Sequence, residues 1–357
     1  MIKSLNLKII RNKVYRLNPS EIFILSFFIC LFFYIFEWLL GIDRFYHPDS
    51  SHYLKSNEFN LNKLVANPFS IVNRGYYAIT NLLFNNYYLL ILLNFILYSI
   101  TNILIFQKIY KKYFNELNNT KLFFLFYLLF LDPYRLHLAS HVLKETIIIF
   151  IIICIILINS KIIKIFSIFL LVVFRKNSWI YLLIFLTFNR VFIVLKNKIF
   201  YIFITLFLII FISFIILNQN SLDFLQNTTE SIIKRIKLYD AQQMPMRFYD
   251  HVPQFKDYGF PLGFILKNIT WPIMLISGFF IFFVSSLLFK LLAVIVLVNN
   301  LLVFIITKKT FISLGLLLIL AMISIYTSSY TSMFRYSYIA LYTSTVYFFY
   351  NFNIKKN

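Results

Sequence analysis

The sequence predicts an all-α, polytopic integral membrane protein of about ten transmembrane helices, some of them short or re-entrant. Three observations carry that prediction. The chain has 357 residues, of which 61% are hydrophobic and only 13 are acidic. Several apolar runs reach the roughly 20 residues that a helix needs to cross the hydrocarbon core of a bilayer. Clusters of Lys and Arg alternate with those runs, as the positive-inside rule expects of cytoplasmic loops. A transmembrane barrel would instead require alternating segments of about ten residues, which the sequence lacks.

The elements follow in order. Residues 1–20 form a basic tail, in which Lys3, Lys8, Arg11, Lys13 and Arg16 stand with no acid among them. Residues 21–42 are a first span; with no small-residue cleavage signal behind it, the run is expected to be a retained anchor. Residues 43–75 form a first outer loop, where His47-Pro-Asp-Ser-Ser signals a turn and a helix start. Residues 76–106 exceed one span, so Asn85-Asn86-Tyr87-Tyr88 reads as an interfacial lead-in to a helix that returns at Lys108. Residues 122–132 are about half a bilayer thickness, and Pro133 breaks the helix there. Residues 146–159 return to Lys161. Two short apolar runs, 165–174 and 179–188, flank Arg175-Lys176-Asn177-Ser178 and read as a short hairpin. Residues 198–217 lead outward to a large loop at 218–268. Residues 271–306 divide into a re-entrant piece, 271–283, and a span. Residues 311–326 exit, 327–335 turn outside, and 336–352 return to Lys355. The whole chain, 1–357, is one membrane domain with both termini on the cytoplasmic side.

The net charge of +21 invites a nucleic-acid reading. Its distribution argues against one, because topology already explains the charge. In loop 43–75, Arg44, Lys55, Lys63 and Arg74 are balanced by Asp43, Asp49 and Glu58. Cys30 and Cys154 lie inside apolar runs and read as small hydrophobes, not as a disulfide or a thiol site. There is no Walker loop, GxSxG or HExxH, and with 6 glycines a phosphate-cradling Gly loop is excluded. No cofactor is expected.

One stretch concentrates the ionisable groups. Leu131-Asp-Pro-Tyr-Arg-Leu-His-Leu-Ala-Ser-His-Val-Leu-Lys-Glu145 lies between two nearly pure hydrocarbon runs. Charge beside a bilayer is expensive and is retained for function. Read as one helix, His137, His141, Lys144 and Glu145 fall within an arc of about 100°. Together with Asp49, Arg135, Arg175, Lys176, Arg247, His251, Lys256 and Arg335, they outline a basic outer cavity suited to phosphate or diphosphate. Arg meets phosphate through bidentate hydrogen bonds and Lys as a point charge. Each group also has a plainer reading. Asp49 can cap the helix that follows it, the histidines can bond water or headgroups, and Arg175 and Lys176 can snorkel. Lys144 and Glu145 can neutralise charges at a helix end, and Arg335 can hold a lipid phosphate. Glu37, near the outer end of the first span, can pair locally. The spacing His-x3-His-x3-Glu matches no complete metal motif, and no metal is expected.

The ordered features are the basic tail, the outer loop with Asp49 and Tyr53, and the span with Asn94 and Asn102. The Asp-Pro…His-Val-Leu-Lys-Glu turn, the Arg175 hairpin, the large outer loop, Trp271-Pro and Phe334-Arg-Tyr336 follow. This order resembles the O-antigen polymerases of the Wzy type. Its short paired helices and acidic first outer loop are also similar to GT-C-type polyprenyl-phosphate glycosyltransferases. The resemblance implies metal-independent glycosyl transfer at the periplasmic face of a bacterial inner membrane, between undecaprenyl-diphosphate-linked repeat units. It implies membrane lipids and a chain-length regulator as partners, and no nucleic acid. Arg135, Lys144, Arg175, Lys176, Arg247, Arg335 and Tyr336 would hold the diphosphate and substrate. Glu145, His141 or Asp49 would take the hydroxyl proton. A GT-C-type transferase or ligase, and a glycan flippase, are the alternatives; a flippase should have more spans and basic groups open to both faces.

Overall fold

The structure is a computed structural model that describes residues 16–42, 48–55, 74–114, 116–174, 262–277, 287–307 and 330–351. Every regular element among them is helical. Among the described residues, three helical stretches are long and apolar enough to cross a membrane: Pro19–Leu39, Tyr87–Tyr113 and Asn119–Ala139. Backbone contacts divide the chain into two compact units, Met1–Leu183 with Thr345–Asn357, and Ile184–Ser344.

In the first unit, α1 spans Pro19–Leu39. Its start is encoded locally: the Asn18 side chain accepts from Glu21 N–H at 2.9 Å, and the Glu21 carboxylate accepts from Asn18 N–H at 2.8 Å. This reciprocal capping box is joined by Pro19, whose missing N–H costs nothing in the first turn. Ile22, Ser26, Cys30 and Glu37 are buried, and helical spacing puts them within an arc of about 80°. That stripe faces the interior of the unit. On the rest of the helix, Phe32 is 72% and Leu39 70% exposed, a face that hydrocarbon would accept and water would penalise.

Two short helices follow, α2 (Pro48–Lys55) and α3 (Gly75–Leu82). Gly75 is required where it stands, because a Cβ there would come within 2.5 Å of Val173 Cγ1. A turn then carries Phe84 and Asn85 at φ of 55° and 53°. Asn tolerates this left-handed region, whereas Phe pays about 1–2 kcal/mol for it. Asn86 ends the turn by accepting from Tyr88 and Leu89 N–H at 2.9 and 3.2 Å, so α4 begins at Tyr87 as the lead-in predicts.

α4 runs from Tyr87 to Tyr113, with a π-helical turn at Phe106–Tyr110. At about 1.5 Å per residue it is roughly 40 Å long, enough to cross the bilayer core and its near headgroups. It is the principal partner of α1. Phe95 meets Phe27 edge-on at 5.7 Å and Tyr34 at 6.2 Å.

α5 (Asn119–Phe130) and α6 (Pro133–Ala139) form the third spanning stretch, interrupted where Pro133 was expected to break it. Helix does not resume until α7, Glu145–Leu157. The expectation that His137, His141, Lys144 and Glu145 share one helical face is therefore corrected, because residues 140–144 are not helical. α7 is buried nearly all round, as Ile148, Ile152, Ile153 and Leu157 show; it is the core helix of this unit, too short to span a bilayer alone. α8 (Lys161–Phe174) packs on it. The C-terminal residues close the far end of α4: Tyr113 Oη donates to the Phe349 carbonyl at 2.7 Å and Lys112 Nζ to that of Tyr350 at 3.0 Å.

In the second unit, α9 (Leu262–Ser277) carries Pro272 internally and packs on α10 (Leu287–Thr307). Helix α9 starts within the segment read as a loop ending at residue 268. The last helix, α11, spans Tyr330–Asn351, with its residues from Thr345 onward counted in the first unit, so the turn expected at 327–335 is already helical from Tyr330. The hairpin tip at Arg175 and Lys176, and Arg247, lie outside the described residues.

Candidate functional site

The break between α5 and α7 is where the first unit collects its polar groups. Pro133 has no N–H, so the Leu129 carbonyl, four residues earlier, loses its helical donor. Asp132 caps α6 by accepting from Tyr134 and Arg135 N–H at 2.9 and 3.2 Å, and this diverts the Tyr134 donor from the Phe130 carbonyl. In a low-dielectric interior each orphaned carbonyl would cost on the order of 1–3 kcal/mol. The fold supplies both missing donors. Arg135 Nη1 reaches the Leu129 carbonyl at 2.8 Å, and Tyr98 Oη donates to the Phe130 carbonyl.

The donors are aimed by a polar stripe on α4. Asn94, Tyr98 and Asn102, spaced by four, fall within an arc of about 80° on one side of that helix. Asn94 Nδ2 donates to the His141 carbonyl at 2.7 Å. Asn102 accepts from Arg135 Nη1 at 2.7 Å and donates to Ser26 of α1 at 3.0 Å. Arg135 also donates to the Tyr98 carbonyl at 3.3 Å and lies 4.1 Å over the Tyr98 ring. Arg135, expected at a diphosphate, is thus 3% exposed, with its guanidinium engaged inside the fold.

The same break brings three ionisable side chains together. Glu37, in the last turn of α1, faces His137 of α6 and His141 of the turn behind it. Glu37 Oε1 lies 2.5 Å from His137 Nδ1, and Glu37 Oε2 lies 3.5 Å from His141 Nε2. The two rings meet edge-on at 4.6 Å, and Tyr134 stacks on His137 at 5.9 Å. Their ligand atoms all lie within 4.8 Å of one another, and among the described residues this is a group that could hold a metal ion. Glu37, Asp132, Arg135, His137, His141 and Glu145 are each 4% exposed or less. Keeping so many ionisable groups out of water is costly unless they are mutually compensated.

A second cluster adjoins the 140–144 turn. Ser50 of α2 donates to the Val142 carbonyl at 3.3 Å, which ties the helix bearing Asp49 to that turn. Asp49 lies in the first turn of α2, where its charge suits the helix dipole. Lys144 Nζ sits 5.9 Å over the Tyr53 ring, and Tyr53 packs on Tyr76 and Tyr77 at 4.7 and 5.3 Å. Glu145 opens α7, fully buried.

Of the residues singled out from the sequence, Arg135, His141, Lys144, Glu145 and Asp49 thus belong to one unit around one break. Arg335 and Tyr336 lie on α11, where only the backbone is described, and Arg175, Lys176 and Arg247 lie outside the described residues. The residue that sequence reasoning undervalued is Glu37. Its signal was present: Phe33, Tyr34, Leu40 and Gly41, its neighbours at helical spacing, offer no charge, so a partner had to come from elsewhere in the chain. No protein-family model, curated protein or solved structure matches this chain.

Proposed function

We propose that the protein is a membrane-embedded glycosyltransferase that joins undecaprenyl-diphosphate-linked repeat units, in the manner of the Wzy-type O-antigen polymerases it resembles. The single observation that supports this reading best is the buried ionisable layer at the α5–α7 break, beside a turn tied to the Asp49 helix. A chain with so little charge in its apolar segments keeps such a layer for a substrate that brings charge and hydroxyls to the membrane.

In this reading the chain lies in a bacterial inner membrane with about ten spans and both termini cytoplasmic. Loops 43–75 and 218–268 face the periplasm. An acceptor sugar hydroxyl attacks the anomeric carbon of the donor glycan. A new C–O bond forms, the bond to the diphosphate breaks, and its electron pair leaves on the lipid diphosphate. Glu145, His141 or Asp49 takes the hydroxyl proton, a contribution of about 10²–10⁴ in rate. Lys144, Arg175, Lys176, Arg247, Arg335 and Tyr336 stabilise the departing diphosphate, where preorganised donors are worth several kcal/mol. Arg135 acts as a positioning residue, because its donors are directed at Asn102 and backbone carbonyls. Membrane lipids surround the chain, and a chain-length regulator is its protein partner.

The test is the surface polysaccharide of a strain lacking the gene, complemented with Glu145→Gln, Arg175→Ala or Arg335→Ala at checked expression. The reading expects lipid-A core carrying one repeat unit in the deletion and in each variant. A deletion that retains long chains removes the polymerase reading. Core bearing no glycan at all identifies a ligase instead.

A further inference from the structure

We propose that Glu37, His137 and His141 form a binding site for a divalent transition-metal ion of the zinc class. The ligand chemistry selects the ion. Two imidazoles and one carboxylate suit zinc and its neighbours, whereas magnesium and calcium require mostly oxygen ligands. Three protein ligands with a further position left open is the composition of reactive rather than structural zinc sites.

The geometry fits with small adjustment. Two ligand atoms each about 2.0–2.1 Å from a tetrahedral ion lie roughly 3.3 Å apart. The Glu37 Oε2 to His141 Nε2 separation is 3.5 Å, close to that edge. The 2.5 Å contact to His137 Nδ1 is made by the other carboxylate oxygen, Oε1, and with Oε2 as the single carboxylate ligand this hydrogen bond is exchanged for the bond from Nδ1 to the ion. No two ligand atoms are more than 4.8 Å apart, a gap that side-chain rotation closes.

The surroundings hold the ligands in place. Glu37 belongs to the buried stripe of α1 that Ser26 and Asn102 fasten to α4. His141 sits in a turn pinned at its own carbonyl by Asn94 and at the next by Ser50. His137 lies under Tyr134 on a helix capped by Asp132. Such outer contacts orient metal ligands, and losing one typically costs about 10–100-fold in metal affinity. The carboxylate leaves a bound dication with net positive charge, so the open position favours an anionic oxygen, from hydroxide or from a phosphate. The site does not depend on the glycosyl-transfer reading. If both hold, His141 is committed to the ion, and the proton acceptor is Glu145 or Asp49.

Metal content tests this without any glycan. Full-length protein is purified in detergent from zinc-supplemented cells, dialysed against a weak chelator, and measured by inductively coupled plasma mass spectrometry. The expected result is about one equivalent per chain, reduced about tenfold or more in Glu37→Gln and His141→Ala and unchanged in His52→Ala, whose ring is exposed on α2. Cobalt substitution should give ligand-field absorption from a tetrahedral site in wild type, which keeps the idea testable where a variant aggregates. Wild-type protein that takes up neither zinc nor cobalt overturns the proposal and leaves the trio a hydrogen-bonded charge cluster. Undiminished metal in a well-folded Glu37→Gln variant overturns it equally. A metal-loaded protein whose deletion leaves long glycan chains intact would separate the two readings, removing the polymerase and keeping the site.

Discussion

Two interruptions in the first unit deserve comparison, the turn at residues 83–86 and the break at 131–144. Both divide apolar sequence, and both leave backbone groups that an apolar setting cannot leave unpaired. The first is resolved within its own few residues. Asn85 N–H donates to the Thr80 carbonyl at 2.7 Å, Asn86 N–H donates to that of Leu83 at 2.9 Å, and the Asn86 side chain caps α4. The second is resolved largely from far away: Tyr98 donates across 32 residues, Asn94 across 47 and Ser50 across 92, and Arg135, which serves the Leu129 carbonyl, is itself held by Asn102 across 33. A locally satisfied break is a joint. One that needs donors from two other helices, α4 and α2, fixes those helices against the break and holds Glu37, His137 and His141 together.

The comparison can be broken by substitutions of graded effect. Arg135→Met leaves the Leu129 carbonyl and the Asn102 amide oxygen without this donor, and at about 1–3 kcal/mol for each orphaned acceptor we expect a loss of about 2–6 kcal/mol. Thermal unfolding in detergent would show it, and a melting temperature equal to wild type would mean the break carries no such load. Tyr98→Phe removes only the hydroxyl that serves the Phe130 carbonyl, at an expected cost of about 1–3 kcal/mol. Combined with Arg135→Met, its effect should be less than additive, because both act on the same broken turn; strict additivity in a double-mutant cycle would show the two carbonyls are satisfied independently. Asn86→Ala should cost about 1 kcal/mol, as loss of a cap does. Its effect should add to that of Tyr98→Phe, since the two breaks share no hydrogen bond among the described residues; a strong coupling would erase the distinction between local and distant breaks.

The asymmetry also explains what could be read in advance. The lead-in at Asn86 and the Pro133 break were legible, because caps and proline act through neighbours in sequence, whereas the equally local cap of Asn18 with Glu21 was missed. The polar residues Asn94 and Asn102 stood out on their span, but nothing in the chain order indicated that they serve a helix break. The stripe from His137 to Glu145 is unusual in composition alone, but its shape is not set by spacing. Helical spacing predicted one face, whereas the chain leaves the helix after Ala139 and sends Glu145 onto α7.

By itself, then, the sequence determined the all-helical class, helices of membrane-spanning length, the caps, and the place where charge concentrates. Composition and short-range stereochemistry suffice for these, since each depends on residues within about one or two helical turns. Only the tertiary structure decided that Arg135 turns inward and that Glu37, 100 residues before His137, completes the histidine pair. Such contacts arise when orphaned carbonyls and buried charges find partners on packed neighbours, and that matching is a property of the assembled helices.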